Sequence, residues 1–225
     1  MSAASPRCAG VLFDLDGTLL DSAPDLAAAL ARYTRAQGVP MPAYARVRAA
    51  VSAGGSAILR TAWPDAPPAR IAALLPGYLE IYAGMLAEHS RLFPGIEPLL
   101  RALETARRPW GIVTDKVTAL TRPLLLRLPA LQRAGVVVCG DTLPHRKPAP
   151  EPLLYACERL GAAPARSVYV GDDHRDIDAA RAAGMRSIAV GWGYGGDGED
   201  PAAWAADALV HDAAALTRAL DLAHG

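Results

Sequence analysis

Three short apolar runs, Val11-Leu12-Phe13, Trp110-Gly111-Ile112-Val113 and Val168-Tyr169-Val170-Gly171, each break off at a polar residue: Asp14, Thr114 and Asp172. Strands that are apolar on both faces are strands buried on both faces, and between them this chain carries alanine-, leucine- and arginine-rich stretches of helical periodicity. Strands are expected at 10–14, 110–114, 136–139, 167–171, 187–190 and 208–211. Their alternation with helices predicts an α/β fold, a Rossmann-like parallel sheet in a core of three layers. In such sheets ligands bind in the crevice beyond the carboxyl ends of the strands, which is where the three polar residues fall.

The spacing of the strands is uneven. Residues 22–88 hold none and read as helical, with pieces at 24–37, 42–51, 55–62 and 68–88. Gly38-Val39-Pro40, Ser52-Ala53-Gly54-Gly55 and Pro64-Asp65-Ala66-Pro67-Pro68 supply the breaks between them. The expected organisation is an α/β core formed by 1–20 and 92–225, interrupted by an α-helical cap domain at 21–91. The chain would cross between them at 19–23 and 89–95.

Lysine plus arginine and aspartate plus glutamate both number 23, so no broad field favours nucleic acid or an anionic membrane. No run approaches the roughly 18 apolar residues of a membrane span, and the first ten residues lack an apolar signal core. Cys8, Cys139 and Cys157 show no zinc spacing and are odd in number, as expected of reduced thiols. The expectation is a soluble cytoplasmic protein, monomer or homodimer, whose partner is a small molecule.

Asp14 and Asp16 lie one residue apart where the first strand runs out, so they face the same side. Side by side and losing water, two carboxylates call for a cation, most economically a divalent metal with oxygen ligands. Lys147, in Arg146-Lys147-Pro148, can reach the same crevice. With Asp14-Leu15-Asp16-Gly17-Thr18, Thr114, Lys147-Pro148 and Gly171-Asp172-Asp173 in this order, the chain resembles the haloacid dehalogenase superfamily, in its phosphatase branch with an inserted helical cap.

The resemblance implies that Asp14 is a nucleophile forming an aspartyl-phosphate and that Asp16 is a general acid and base. It implies that Thr114 and Lys147 bind the phosphoryl oxygens. Mg2+ would be held by Asp14, by the backbone carbonyl of Asp16 and by Asp172. Asp173 would join the metal shell or its waters, and Asp176 would orient them or hold Lys147. Asp115 departs from the asparagine commoner in close relatives, and must turn away or pair with Lys116 if it is not to repel phosphate.

Two substrate branches are similar to this chain. Gly140–Pro144 ahead of Arg146-Lys147-Pro148 resembles phosphoglycolate phosphatases. His89–Phe93, Trp110–Thr114, Gly193-Tyr194 and Pro201–Trp204 resemble N-acetylmuramic acid 6-phosphate phosphatases. Either substrate is a small carboxylated phosphate ester. Gly55, Ser56 and Lys116 are the expected substrate-binding residues, with Arg46, Arg48 or Arg60 available for the carboxylate. The alternatives are a phosphosugar mutase of the same fold, which would usually carry a cap-loop arginine where this chain reads Gly-Gly-Ser-Ala-Ile-Leu, and a non-catalytic phosphate-binding module, which would have lost an essential side chain.

Overall fold

Residues 9–195 and 200–222 are described by a computed structural model; Cys8 lies outside them. The apolar run Val11–Phe13 is the first strand, β1, and it is buried completely. Successive side chains point to opposite faces, so Val11 and Phe13 enter one apolar cluster and Leu12 another. A short strand β2 (Leu20–Asp21) follows. Then come four helices, α1 (Ala23–Ala36), α2 (Tyr44–Ala49), α3 (Gly55–Ala62) and α4 (Pro68–Ala83), before β3 (Arg91–Leu92). The remainder alternates: α5 (Ile96–Thr105), β4 (Trp110–Val113), α6 (Thr118–Leu126), β5 (Val137–Val138), α7 (Glu151–Leu160), β6 (Val168–Gly171), α8 (His174–Ala182), β7 (Arg186–Val190), β8 (Ala208–Val210) and α9 (Ala213–Ala219).

The main sheet has six strands in the order β5-β4-β1-β6-β7-β8, every pairing parallel. Leu12, Val113 and Tyr169 on one face pack with Leu153 and Cys157 of α7 and Ala179 and Ala180 of α8. Val11, Phe13, Ile112 and Ile188 on the other join Leu99 and Leu103 of α5, Leu124 of α6 and Leu216 of α9. This is the expected three-layer α/β arrangement. Its central strands β4, β1 and β6 bring residues 114, 14 and 172 to one edge.

The helical insert leaves and re-enters the core through β2 and β3, an antiparallel pair in which Leu20 faces Leu92 and Asp21 faces Arg91. The buried carboxylate of Asp25 fixes this crossing. It accepts hydrogen bonds from the backbone N–H of His89 (2.7 Å) and of Ser90 (3.1 Å), and from the Ser90 hydroxyl. α4 stops at Ala83 and not at the expected residue 88: the chain leaves the helix through turns at 84–87, with Ala87 at φ +57°, and the amides of 89 and 90 then bond Asp25. Cys139 and Cys157 are buried free thiols.

Replacing Asp25 with alanine strands the buried N–H and hydroxyl of Ser90 and removes the partner of the His89 N–H. The expected loss in urea denaturation is about 3–5 kcal/mol, with Asp25→Asn losing less because one acceptor oxygen survives.

Candidate active site

Asp14 follows β1 directly, its N–H donating to the Val170 carbonyl at 2.9 Å, so its position is fixed by the sheet itself. One carboxylate oxygen, Oδ1, lies 2.9 Å from the Lys147 ammonium. The same ammonium donates to Asp176 Oδ1 at 2.7 Å and to the Tyr169 hydroxyl at 2.9 Å, while that hydroxyl donates onward to the Val113 carbonyl at 2.8 Å. Lys147 is thus enclosed by two carboxylates and a phenol. Burial works against its charge, yet Asp14 and Asp176 hold its pKa well above the ordinary lysine value. Asp176 holds Lys147, one of the two roles expected for it.

Asp172 is fully buried at the end of β6. Its Oδ1 accepts from the Thr18 hydroxyl (3.0 Å), and its Oδ2 accepts from the Tyr194 N–H (2.9 Å) and the Ser52 hydroxyl (3.2 Å). Gly17 is obligatory beside it: with φ of +90°, a Cβ there would overlap the Asp172 carboxylate. Tyr194 also ties this site to the crossing strands, its hydroxyl accepting from the N–H groups of Ser22 (2.7 Å) and Ala23 (3.0 Å) and donating to Asp21 (2.9 Å).

Carboxylate oxygens of Asp14, Asp172 and Asp176 lie within 4.8 Å of one another. Burial, reinforced by the neighbouring carboxylates, raises the pKa of Asp14 well above its ordinary value, although Lys147 opposes it. Burial likewise pushes Asp172 up to about 7, with Asp176 adding to the effect. Asp14 Oδ1 and Asp16 Oδ1 are buried without a hydrogen-bond donor, the Lys147 contact to Asp14 being an ion pair without hydrogen-bond alignment. Within this cluster a single ammonium offsets the acids. Hard oxygen donors, an excess of buried negative charge and unpartnered oxygens fit a divalent cation.

Asp16 points its Oδ2 at the Lys116 ammonium (2.9 Å), which also sits over the Tyr82 ring of α4 at 4.9 Å. Lys116 therefore pairs with Asp16 and not with Asp115, whose partner is Arg175 at 3.7 Å. Asp173 is neither an exposed acid nor turned to the carboxylate cluster: it caps α8, accepts from the Arg175 N–H and binds the Arg175 guanidinium. Burial opposes its ionisation, but Arg175 holds its carboxyl below the ordinary range.

A cavity of about 440 Å3 lies over this cluster, lined by Asp14, Asp16, Lys116, Lys147 and Asp176 at one end. Gly55 and Ser56 of the insert also line it, as do apolar side chains including Leu26, Ile58, Leu75 and Leu79. Thr114 and Asp172 are not in the lining; the Thr114 hydroxyl accepts the Lys116 N–H at 3.2 Å.

The arginines expected for a substrate carboxylate are placed elsewhere. Arg48 donates to the carbonyls of Gly193 (2.9 Å) and Trp192 (3.2 Å), Arg60 reaches the Ala66 carbonyl at 3.5 Å, and Arg46 is exposed off the cavity. The guanidinium groups that do line it are Arg146 and Arg175, to which the sequence reading gave no role. One signal marked Arg175: a cation in the first turn of a helix runs against the helix dipole, so something else must hold it there.

The sequence profile of the haloacid dehalogenase-like hydrolases matches residues 11–190. The chain belongs to that family. It is 48% identical over 200 residues to a phosphoglycolate phosphatase of Xanthomonas campestris pv. campestris, covering 89% of this chain and 90% of the relative. It is 41% identical to an N-acetylmuramic acid 6-phosphate phosphatase of Pseudomonas aeruginosa, over 96% of each. A crystal structure described as a predicted phosphoglycolate phosphatase from Haemophilus somnus superposes with a TM-score of 0.85 at 26% identity, over 96% of this chain and 100% of that one. This haloacid dehalogenase-like protein is accordingly an enzyme, a hydrolase of the phosphatase kind. Among the described residues no helix is long and apolar enough to cross a membrane.

Titrating Mg2+ into the metal-stripped protein is expected to raise its thermal midpoint, by the equivalent of about 2.7 kcal/mol at a hundredfold excess over Kd. Asp172→Asn should abolish the rise; an unchanged response in that variant would place the cation elsewhere.

Proposed function

We propose that this protein is a Mg2+-dependent phosphomonoesterase acting on a carboxylated sugar phosphate of the N-acetylmuramic acid 6-phosphate type, with residues 21–91 serving as the cap that selects it. The observation that carries the chemistry is the convergence of the Asp14, Asp172 and Asp176 carboxylates beneath a cavity, with Asp14 and Asp176 paired to one buried ammonium.

An Asp14 carboxylate oxygen attacks phosphorus, and the bond from phosphorus to the ester oxygen breaks. Asp16 gives its proton to the departing alcohol, then takes one from the water that attacks the aspartyl-phosphate. That second attack releases inorganic phosphate and restores Asp14. Lys116 links binding to this exchange. A phosphate oxygen entering the cavity competes with Asp16 for the Lys116 ammonium. Lys147 steadies the transferring phosphoryl oxygens, and Thr114, outside the cavity lining, fixes the Lys116 backbone through its hydroxyl. Mg2+, held by the Asp14 and Asp172 carboxylates and the Asp16 carbonyl, would screen the approach of an anion to an anion.

The cavity supports the larger substrate. A two-carbon phospho-acid displaces the volume of about four or five waters, roughly 130 Å3, and would leave most of a 440 Å3 cavity wet against leucine side chains. A lactyl- and acetyl-bearing hexose phosphate has methyl groups for that apolar roof and a carboxylate for Arg146. Among the described residues, Arg146 is a lining cation whose side chain makes no hydrogen bond or ion pair. Phosphoglycolate is the second reading, favoured by the 48% identical relative that carries its name. The cytoplasm, with free buried thiols and a small-molecule partner, suits either, as does a monomer or homodimer.

Asp14→Asn should lower kcat by on the order of 10^4 with an unchanged circular dichroism spectrum. Comparison of kcat/KM on three esters decides the substrate. N-acetylmuramic acid 6-phosphate should exceed both phosphoglycolate and glucose 6-phosphate by about tenfold or more, and a preference for phosphoglycolate would overturn the larger-substrate reading.

A further inference from the structure

Arg175 occupies the first turn of α8, where a cation is disfavoured, and every arm of its guanidinium is engaged. Its Nε and Nη2 lie 2.8 Å and 2.9 Å from Oδ1 and Oδ2 of Asp173, a forked pair, and Nη1 is 3.7 Å from Asp115. Those anchors belong to the core. The remaining bond crosses to the helical insert: Nη2 donates to the backbone carbonyl of Ser52 at 2.6 Å.

Ser52 begins the turn between α2 and α3, and its hydroxyl bonds Asp172. The turn contains Gly54 at φ +85° and delivers Gly55 and Ser56, the start of α3, to the cavity wall. Residues 51–56 all line that cavity. The shorter of the two bonds by which the core fastens the ligand-facing stretch of the insert is therefore the one from the Arg175 guanidinium. A lysine, with one compact ammonium, cannot hold Asp173 bidentately and reach Ser52 as well. Arg48 fastens α2 separately, through the carbonyls of Trp192 and Gly193, so the insert stays attached when Arg175 is lost and the turn is loosened, held then by the longer Ser52 hydroxyl bond to Asp172.

We propose that Arg175 is a positioning residue for substrate selection: anchored by Asp173 and Asp115, it holds the 51–56 turn over the cavity and so lets the core set the shape against which the leaving group is chosen. Asp115 then has a use, since its carboxylate, 3.7 Å from the guanidinium, helps aim it. The consequence for selectivity rests on the phosphatase reading above; the restraint on the turn does not.

The test uses the full chain with Mg2+, as wild type, Arg175→Lys, Arg175→Gln and Asp115→Asn. Amide hydrogen exchange at 52–56 should quicken about tenfold in both Arg175 variants, and less in Asp115→Asn, with the sheet amides unchanged. The ratio of kcat/KM for N-acetylmuramic acid 6-phosphate over p-nitrophenyl phosphate should fall about tenfold, chiefly through KM, and lysine should not restore it. Unchanged exchange at 52–56, restoration by lysine, or an equal loss on both esters would overturn the proposal. If the wild-type protein hydrolyses none of the esters, the activity reading fails and the exchange rates alone decide the role of Arg175.

Discussion

The placement of one buried ammonium governs the chemistry of this molecule. Lys147 would be costly where it lies if it were alone, as would Asp14 and Asp176; together, with the Tyr169 hydroxyl, they satisfy one another. Each comes from a different part of the chain: the end of β1, the loop before α7, strand β6 and the first turns of α8. The parallel sheet is what allows this meeting. Because β4, β1 and β6 are adjacent and point the same way, their ends deliver polar groups to one place without any long excursion of the backbone. The cluster still carries more negative than positive charge, and this imbalance is the physical basis for a cation at Asp14 and Asp172.

Much of this was legible in the sequence, because the features that encode it are local. An apolar run that stops at Asp14, Thr114 or Asp172 states both a strand and the direction of its open end. The breaks at Gly38–Pro40, Ser52–Gly55 and Pro64–Pro68 likewise separated the helices of the insert where they do separate. What escaped the reading depends on partners remote in the chain or on groups without a signature. Arg48 binds the carbonyls of Trp192 and Gly193, and a backbone carbonyl looks the same at every position. Arg175 meets Ser52 across 123 positions of sequence, and nothing in either residue names the other.

Of the two alternatives open to Asp115, the one the structure does not take is pairing with Lys116. Asp115 is its neighbour in sequence, but the two side chains leave the backbone in different directions: Lys116 turns to Asp16 and Tyr82, and Asp115 to Arg175. Proximity along the chain was a poor guide to proximity in space here. The helix overrun at residues 84–88 has a related cause. Helical propensity favoured continuation, but the chain turns at 84–87, with Ala87 at φ +57°, to bring the amides of 89 and 90 to a carboxylate of α1.

Tyr194 joins two regions that the chain order keeps apart. Its backbone grips Asp172, and its phenol holds the first residues of the helical insert at Ser22 and Ala23. The insert is therefore not a module bounded by its two crossing strands. Transplanting residues 22–90 onto a related core would cut the phenol's bonds unless the loop at 192–194 travelled with them, so the unit that can be exchanged between such proteins is discontinuous, one long segment and one short loop together.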